Sequence, residues 1–385
     1  MSLVDFARAS AATPHGFAWL DTRGRPDPAH GVHTWITPRM THVFALAHLR
    51  GEPDALPLVD HGVDALLGAL HDDRHGGWYS AVTAAGEPVP GPKEAYAHAF
   101  VLLAGGSARM AGAREADALL AEAADVVEER FLDAGGRAVD AWDRSFTTAE
   151  AYRGANAAMH LVEAFLATGD VLGDPVWHDR ALAIAHHLVH EVAAPRDHLM
   201  PEHFDADWTP LPDYNVDDPA DPFRPYGVTP GHLLEWSRLL LHLDASLADP
   251  PPWLLADARA LFDRAVSVAW AVDGADGFVY TVDWERRPVV RSRMHWVHAE
   301  ALAAAAALQR RTGEAAYDGW RERFDTFCRR HLVDPVHGSW HHELDEHNRP
   351  ATTTWDGKPD VYHAYQAQLL AERPLAPVLS VQLAG

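Results

Sequence analysis

The sequence predicts an all-α fold, six helical hairpins closed into an (α/α)6 barrel with short β-hairpins in the loops. Three observations predict it. Alanine-rich helical periodicity runs through most of the chain. Glycine–aromatic segments recur at roughly 60-residue intervals with a helix pair between neighbours, the mark of an array of helical hairpins. An open array needs polar capping repeats at its ends; the sequence offers none, so a closed ring is expected, with the last helix beside the first. No linker or composition break divides the 385 residues, which predicts a single catalytic domain over 1–385.

The helices follow in order from apolar residues at three- and four-residue spacing. They are expected over 94–110, 115–133, 175–193, 230–245, 251–270, 294–313 and 315–333. The intervening segments are "DDRHGGWYSAV", "LDAGGRAVDAWD", "DGADGFVYTVDWE" and "DPVHGSWHHELDE", each an acid and glycine turn followed by alternating aromatics. That pattern reads as a tight hairpin. "HLMPEHFDADW" (198–208) reads as a divergent fifth copy without its glycines, and "GFVYTVDW" (277–284) as strand-like. The Pro/Asp-rich stretch 209–227 is long for a loop in a compact domain; with Tyr214, Phe223 and Tyr226 it is expected to pack as a lid.

Composition excludes several classes. A formal charge of −23 argues against nucleic acid, whose phosphates need a basic face, and suits a neutral ligand better than an anionic one. One cysteine, Cys328, leaves no intramolecular disulfide and fits a reducing compartment. The N-terminus lacks a signal-peptide pattern, and no apolar run reaches the about 20 residues of a membrane span. A cytoplasmic protein, monomer or homodimer, with no nucleic-acid or membrane partner is expected. HExxH, CxxC, P-loop and GxGxxG patterns are absent, so no metal and no cofactor is expected. His186, His187 and His190 have metal-like spacing, but no convincing third ligand accompanies them.

Polar residues then fall at the same place in successive repeats, the first turns of helices that follow a hairpin loop. "HTWITPRMTH" sets Trp35, Arg39 and His42 on one stripe. Asn156 and His160 are four apart, and His232 and Glu235 three apart, so each pair shares a helix face. Thr229 is the expected N-cap of the second of these helices, with Pro230 at its first position. Trp296 and Glu300 repeat the spacing, and "KPDVYHAYQ" opens a last helix at Pro359 with His363 one turn in. A single buried histidine is commonly a packed core residue; a series at corresponding helix starts predicts a shared polar pocket.

"RMTH" (39–42), the Asn156–His160 pair, "TPGHLLEW" (229–236), the Trp296/Glu300 helix and "GKPDVYHAYQ" (357–366), in order over essentially the whole chain, resemble the N-acylglucosamine 2-epimerase superfamily. They are most similar to its branch of isomerases for D-mannose and sulfoquinovose. The resemblance implies an (α/α)6 barrel and carries His232 and His363 over as the acid/base pair. It carries Arg39, Asn156, His160 and Glu235 over as sugar-binding positions, and Tyr96 in "KEAYAHAF" as a pocket tyrosine. Trp35, Trp296, His342 and Trp355 are expected pocket walls. At "WHHEL", around His342, some relatives have a glutamine.

The implied reaction interconverts D-mannose and D-fructose, with D-lyxose and D-xylulose as a further pair, and its partner is a neutral monosaccharide. A proton moves between C2 and C1 through a cis-enediol, work for a histidine titrating near neutrality. Arg39 suits the enediolate charge, and Glu235, one turn beyond His232, is expected to orient that imidazole. The alternatives on the same scaffold are a sulfoquinovose isomerase and a sugar 2-epimerase. More remote is a glycoside hydrolase using carboxylates such as Asp140, Asp143, Glu202 or Glu235.

Overall fold

The computed structural model describes residues 1–385. In chain order the helices are α1 (Leu3–Ala7), α2 (Ile36–Leu49), α3 (Leu56–Leu67), α4 (Ala95–Met110), α5 (Ala116–Arg130), α6 (Ala155–Leu172) and α7 (Pro175–Ala185). They continue with α8 (Pro230–Ser246), α9 (Trp253–Ala269), α10 (His295–Thr312), α11 (Ala315–Phe327), α12 (Tyr362–Leu370) and α13 (Leu379–Ala384). The helices expected at 175–193 and 315–333 are both found, but each ends in a π-helical stretch, His186–Ala193 and Cys328–Leu332. Two compact units make up the chain. The first is Met1–Ile184 with Gly357–Tyr362 and Pro377–Gly385; the second is Ala185–Asp356 with His363–Ala376.

In the first unit α2, α4 and α6 lie side by side, and α3 and α5 pack outside them. Burial follows sequence. Along α4 every residue from Ala97 to Ala108 is buried, whereas α5 buries only one stripe, Ala116, Leu119, Leu120, Ala123 and Val127. A helix apolar all round belongs inside and an amphipathic one outside. Gly105 permits the close α4–α5 crossing, because a Cβ there would lie 2.9 Å from Leu120 Cα. The end of the chain returns to its beginning, since α13 packs on α2, α4 and α6.

The second unit repeats the plan. The inner helices α8 and α10 pack together, α9 packs against α8, and α11 packs against α10. Residues Pro230 to Asp244 of α8 are all buried, while α11 buries only Tyr317, Phe324 and Phe327. The run Ala303–Ala307 keeps α10 thin enough for close packing on its neighbours.

The strands are two-residue pieces: β1 (Val32–His33), β2 (Ala81–Val82), β3 (Lys93–Glu94), β4 (Ala141–Trp142), β5 (Arg153–Gly154), β6 (His203–Phe204), β7 (Arg293–Met294), β8 (Glu343–Leu344) and β9 (Pro350–Ala351). β1 pairs with β2, β3 with β4, and β7 with β8 and β8 with β9, all antiparallel. The strand-like stretch 277–284 forms only isolated bridges, at Phe278 and Val282. Burial does not alternate there either, since Phe278 to Asp283 are buried one after another.

One turn recurs at three of the expected hairpin segments and once where none was expected, at Asp21. Asp21, Asp133, Asp205 and Asp345 each accept, through Oδ1, the backbone N–H groups two and four residues on. The residue three positions after the aspartate takes positive φ: Gly24, Gly136, Trp208 and Asn348. Trp208 therefore stands in the divergent copy, at φ 63°, where two other copies have glycine and one has asparagine. A second device recurs in both units. The buried His98 and His298 accept the backbone N–H of Trp78 and Phe278 at Nε2 and donate from Nδ1 to Glu94 O and Met294 O. Beside each stands a buried ion pair, Lys93–Asp72 at 3.2 Å and Arg293–Asp273 at 2.6 Å. His298 thus fixes a loop by hydrogen bonds to its backbone.

Candidate active site

In the first unit Arg39, one turn into α2, is 5% exposed. Its guanidinium carbon lies over four rings, 5.1 Å from Trp35, 5.5 Å from Tyr96, 4.2 Å from Phe100 and 5.0 Å from Tyr362. Nη2 donates to Tyr96 Oη at 2.6 Å, and Nη1 to Asp360 Oδ2 at 3.3 Å. Stacking and charge pairing fix the fork's plane, which a lysine point charge cannot reproduce. Asp360 also serves as a cap, since its Oδ1 accepts the Tyr362 N–H at 2.9 Å. Helix α12 accordingly begins at Tyr362, not at Pro359.

His160 of α6 is buried, edge-on to Tyr96 at 5.1 Å, with Nδ1 3.6 Å from Glu163 Oε2. Glu163 also accepts the Tyr362 hydroxyl proton. Asn156 is half-buried in the first turn of α6. His42 donates from Nδ1 to Ser107 Oγ at 2.6 Å, which accounts for it as a buried anchor between α2 and α4.

In the second unit, His232 on α8 gives Nδ1–H to Glu202 Oε2 at 2.9 Å. This corrects the expectation for Glu235. Glu235 is 1% exposed and faces Arg238, with Oε1 3.5 Å from Nη2. In the sequence Glu202 reads only as a candidate hydrolase carboxylate; its place in the divergent hairpin copy gives no sign that it reaches α8. Thr229 does sit at the N-cap of α8 with Pro230 following, but its side chain makes no capping hydrogen bond.

His363, the second residue of α12, gives Nδ1–H to Glu300 Oε1 at 2.9 Å. Glu300 Oε2 accepts Arg238 Nε–H at 2.7 Å. Burial alone would raise the Glu300 carboxyl; the Arg238 charge and the His363 hydrogen bond outweigh it and hold Glu300 below its usual value. Ligand atoms of Glu235, Glu300 and His363 lie within 4.8 Å of one another, a set able to hold a cation. Arg238 already supplies positive charge to two of the three.

Trp296 joins the two histidines. Its ring centroid is 5.1 Å from that of His232 and 5.8 Å from that of His363. His342 stacks on His295 at 3.7 Å, and His295 stands edge-on to His363 at 6.5 Å. Trp355 lies in the loop before α12. Its N–H and that of Thr354 bind Glu343 Oε2 at 3.0 and 2.7 Å, and its ring meets Phe223 at 5.3 Å. The 209–227 loop is held at several points. His203 Nε2 donates to Pro225 O at 2.8 Å and stacks on Tyr214, Trp284 Nε1 donates to Pro212 O, and Phe223 stays 43% exposed. His190 binds Asp257 at 2.8 Å, on the partly exposed outer surface of the unit.

The chain belongs to the N-acylglucosamine 2-epimerase family, whose model matches residues 16–367. Among its relatives, a D-mannose isomerase of Thermobifida fusca is 58% identical over 384 residues, 99% of this chain and 94% of that one. A D-mannose isomerase of Pseudomonas cannabina pv. alisalensis is 50% identical over 388 residues, 100% of this chain and 93% of that one. A solved D-mannose isomerase structure, 28% identical, superimposes with a TM-score of 0.88 over 96% of this chain and 95% of that chain. The (α/α)6 fold class expected from the sequence is the class of these neighbours. No helix is long and apolar enough to cross a membrane.

Proposed function

We propose that the chain is an aldose–ketose isomerase interconverting D-mannose and D-fructose, with residues 1–385 acting as one catalytic domain. The observation that carries this reading is the pair of histidines facing Trp296, each with Nδ1 held by a buried glutamate. A carboxylate on Nδ1 sets the tautomer, so Nε2 is the nitrogen that exchanges protons with a sugar. His363 takes the C2 proton of the open-chain aldose and returns a proton to C1; His232 opens the ring and serves the C1 and C2 oxygens. His363 delivers to C1 either the proton it took from C2 or one exchanged with solvent, and the C1 carbonyl becomes a hydroxyl as the C2 hydroxyl becomes a carbonyl. Trp296 offers an apolar face to the carbon skeleton. Arg39, Tyr96, Asn156, His160, Glu235, Trp35, His342 and Trp355 carry over from the family pattern as sugar contacts, with Arg39 suited to enediolate charge.

A neutral sugar is favoured over a sulfonated or phosphorylated one. Arg39 and Arg238 are each paired with a carboxylate, and the chain carries a net charge of −23. Incubation with D-mannose in D2O, followed by NMR, tests the reading. Fructose carrying deuterium at C1 is expected, together with internally transferred proton. Deuterated glucose without fructose, or no turnover, overturns it.

A further inference from the structure

The two histidines belong to a buried charged chain whose central member, Arg238, the reaction scheme does not use. On α8, His232, Glu235 and Arg238 follow at three-residue intervals along one helix face. Arg238 is 2% exposed and ion-pairs in two directions, with Glu235 Oε1 at 3.5 Å and Glu300 Oε2 at 2.7 Å. Glu300, on α10, then holds His363, on α12, through its other oxygen at 2.9 Å. Three helices are thus tied together by one guanidinium.

A glutamate held at one oxygen alone can turn about its terminal torsion, which is broad. Its hydrogen bond to an imidazole then fixes neither the ring plane nor the position of Nε2. Arg238 removes that freedom by binding Glu300 at the oxygen opposite the one His363 uses. The directed Nε–H and the planar fork are what a lysine lacks. We propose that Arg238 is a positioning residue for isomerisation: by fixing Glu300, it aims His363 at the substrate carbon, and by pairing with Glu235 it holds the His232 helix in register with that aim. This rests on the reading of His363 as the group that moves the carbon-bound proton.

The test compares wild type with Arg238→Lys and Arg238→Met, using D-mannose and D-mannose deuterated at C2. A misaimed base slows the proton-transfer step itself, so kcat should fall by about 10-fold in Arg238→Lys and about 100-fold in Arg238→Met. KM should stay within about 3-fold, since Arg238 is placed behind the histidines, while the deuterium isotope effect on kcat rises. Arg238→Lys keeps the buried charge, so it decides the matter if Arg238→Met does not fold. A folded Arg238→Lys with wild-type kcat and isotope effect overturns the proposal. So does a variant whose kcat falls in proportion to its folded fraction with the isotope effect unchanged, since that is a purely structural loss. A second arm needs no turnover: 15N NMR of histidine-labelled wild type and Arg238→Lys, with His363 assigned by its substitution. One fixed His363 tautomer in wild type and averaging in the variant is expected; identical signals in both overturn the inference. A wild type inert towards mannose would sink the proposed reaction while leaving this arm to decide the role of Arg238.

Discussion

His232 and His363 face the same indole, and each gives Nδ1 to a buried glutamate at 2.9 Å, Glu202 for one and Glu300 for the other. Neither glutamate lies on the helix of the histidine it holds. The two dyads therefore depend on packing between elements, which makes them accessible to single substitutions.

Glu202→Gln keeps the side chain's shape and removes its charge. A glutamine can present either its carbonyl or its amide to His232 Nδ1, so the tautomer is no longer imposed. The kcat for mannose isomerisation should fall by about 10- to 100-fold with a smaller change in KM. Steady-state kinetics on protein shown to be folded by thermal melting checks this; an unchanged kcat would remove Glu202 from the account.

Gly231 sits directly before His232 and against the ring the histidines share. A Cβ there would lie 2.5 Å from Trp296 Cζ3, 2.6 Å from Cη2 and 2.7 Å from Val297 Cγ2. Gly231→Ala improves helix propensity by about 1 kcal/mol, yet it must displace the indole. We expect kcat/KM to fall by at least about 10-fold. Kinetics read beside intrinsic tryptophan fluorescence provide the check. Wild-type kinetics in this variant would mean that the indole's position is not critical.

His98 and His298 are expected to weaken the fold as pH falls below 6.5. Burial lowers each to about 3 from 6.5, against backbone hydrogen bonds that act the other way. The folded state therefore binds fewer protons than the unfolded chain between pH 6.5 and about 3, so stability is full above 6.5 and declines as pH falls. Each contributes a slope of about 1.4 kcal/mol per pH unit well inside that window. His33 and His203, lowered chiefly by burial, act in the same direction. His178, raised by its hydrogen bond to Asp170, acts in the opposite one. Urea unfolding at pH 7.5 and 5.0 should show the loss. The double replacement His98→Gln with His298→Gln, which preserves acceptors for Trp78 and Phe278, should flatten it; an unaltered slope would refute the assignment.

Much of this was legible in the chain. Periodicity and length located the long helices to within a few residues, because an outer helix prints its burial at 3.6-residue spacing and an inner one is a mostly apolar run too long for a strand. The π-helical ends of the helices at 175–193 and 315–333 were not legible, since one extra residue per turn barely disturbs that pattern over a single turn. Glu202 and Arg238 were missed as partners for a different reason. Spacing tells which side chains share a face of their own helix; it is silent about which side chain from another element meets them there.

The sequence by itself determined that this is a helical-hairpin protein, where most of its turns fall, and that His232 and His363 stand at helix starts. Tertiary structure decided what those histidines are bonded to. Glu235 stands one turn from His232 on the same face, yet an arginine one turn further on claims it, while a glutamate from a hairpin 30 residues earlier reaches the imidazole. The physical reason is burial. A carboxylate removed from water must find a donor at once, and in a packed interior the nearest donor is set by which elements touch, not by distance along the chain.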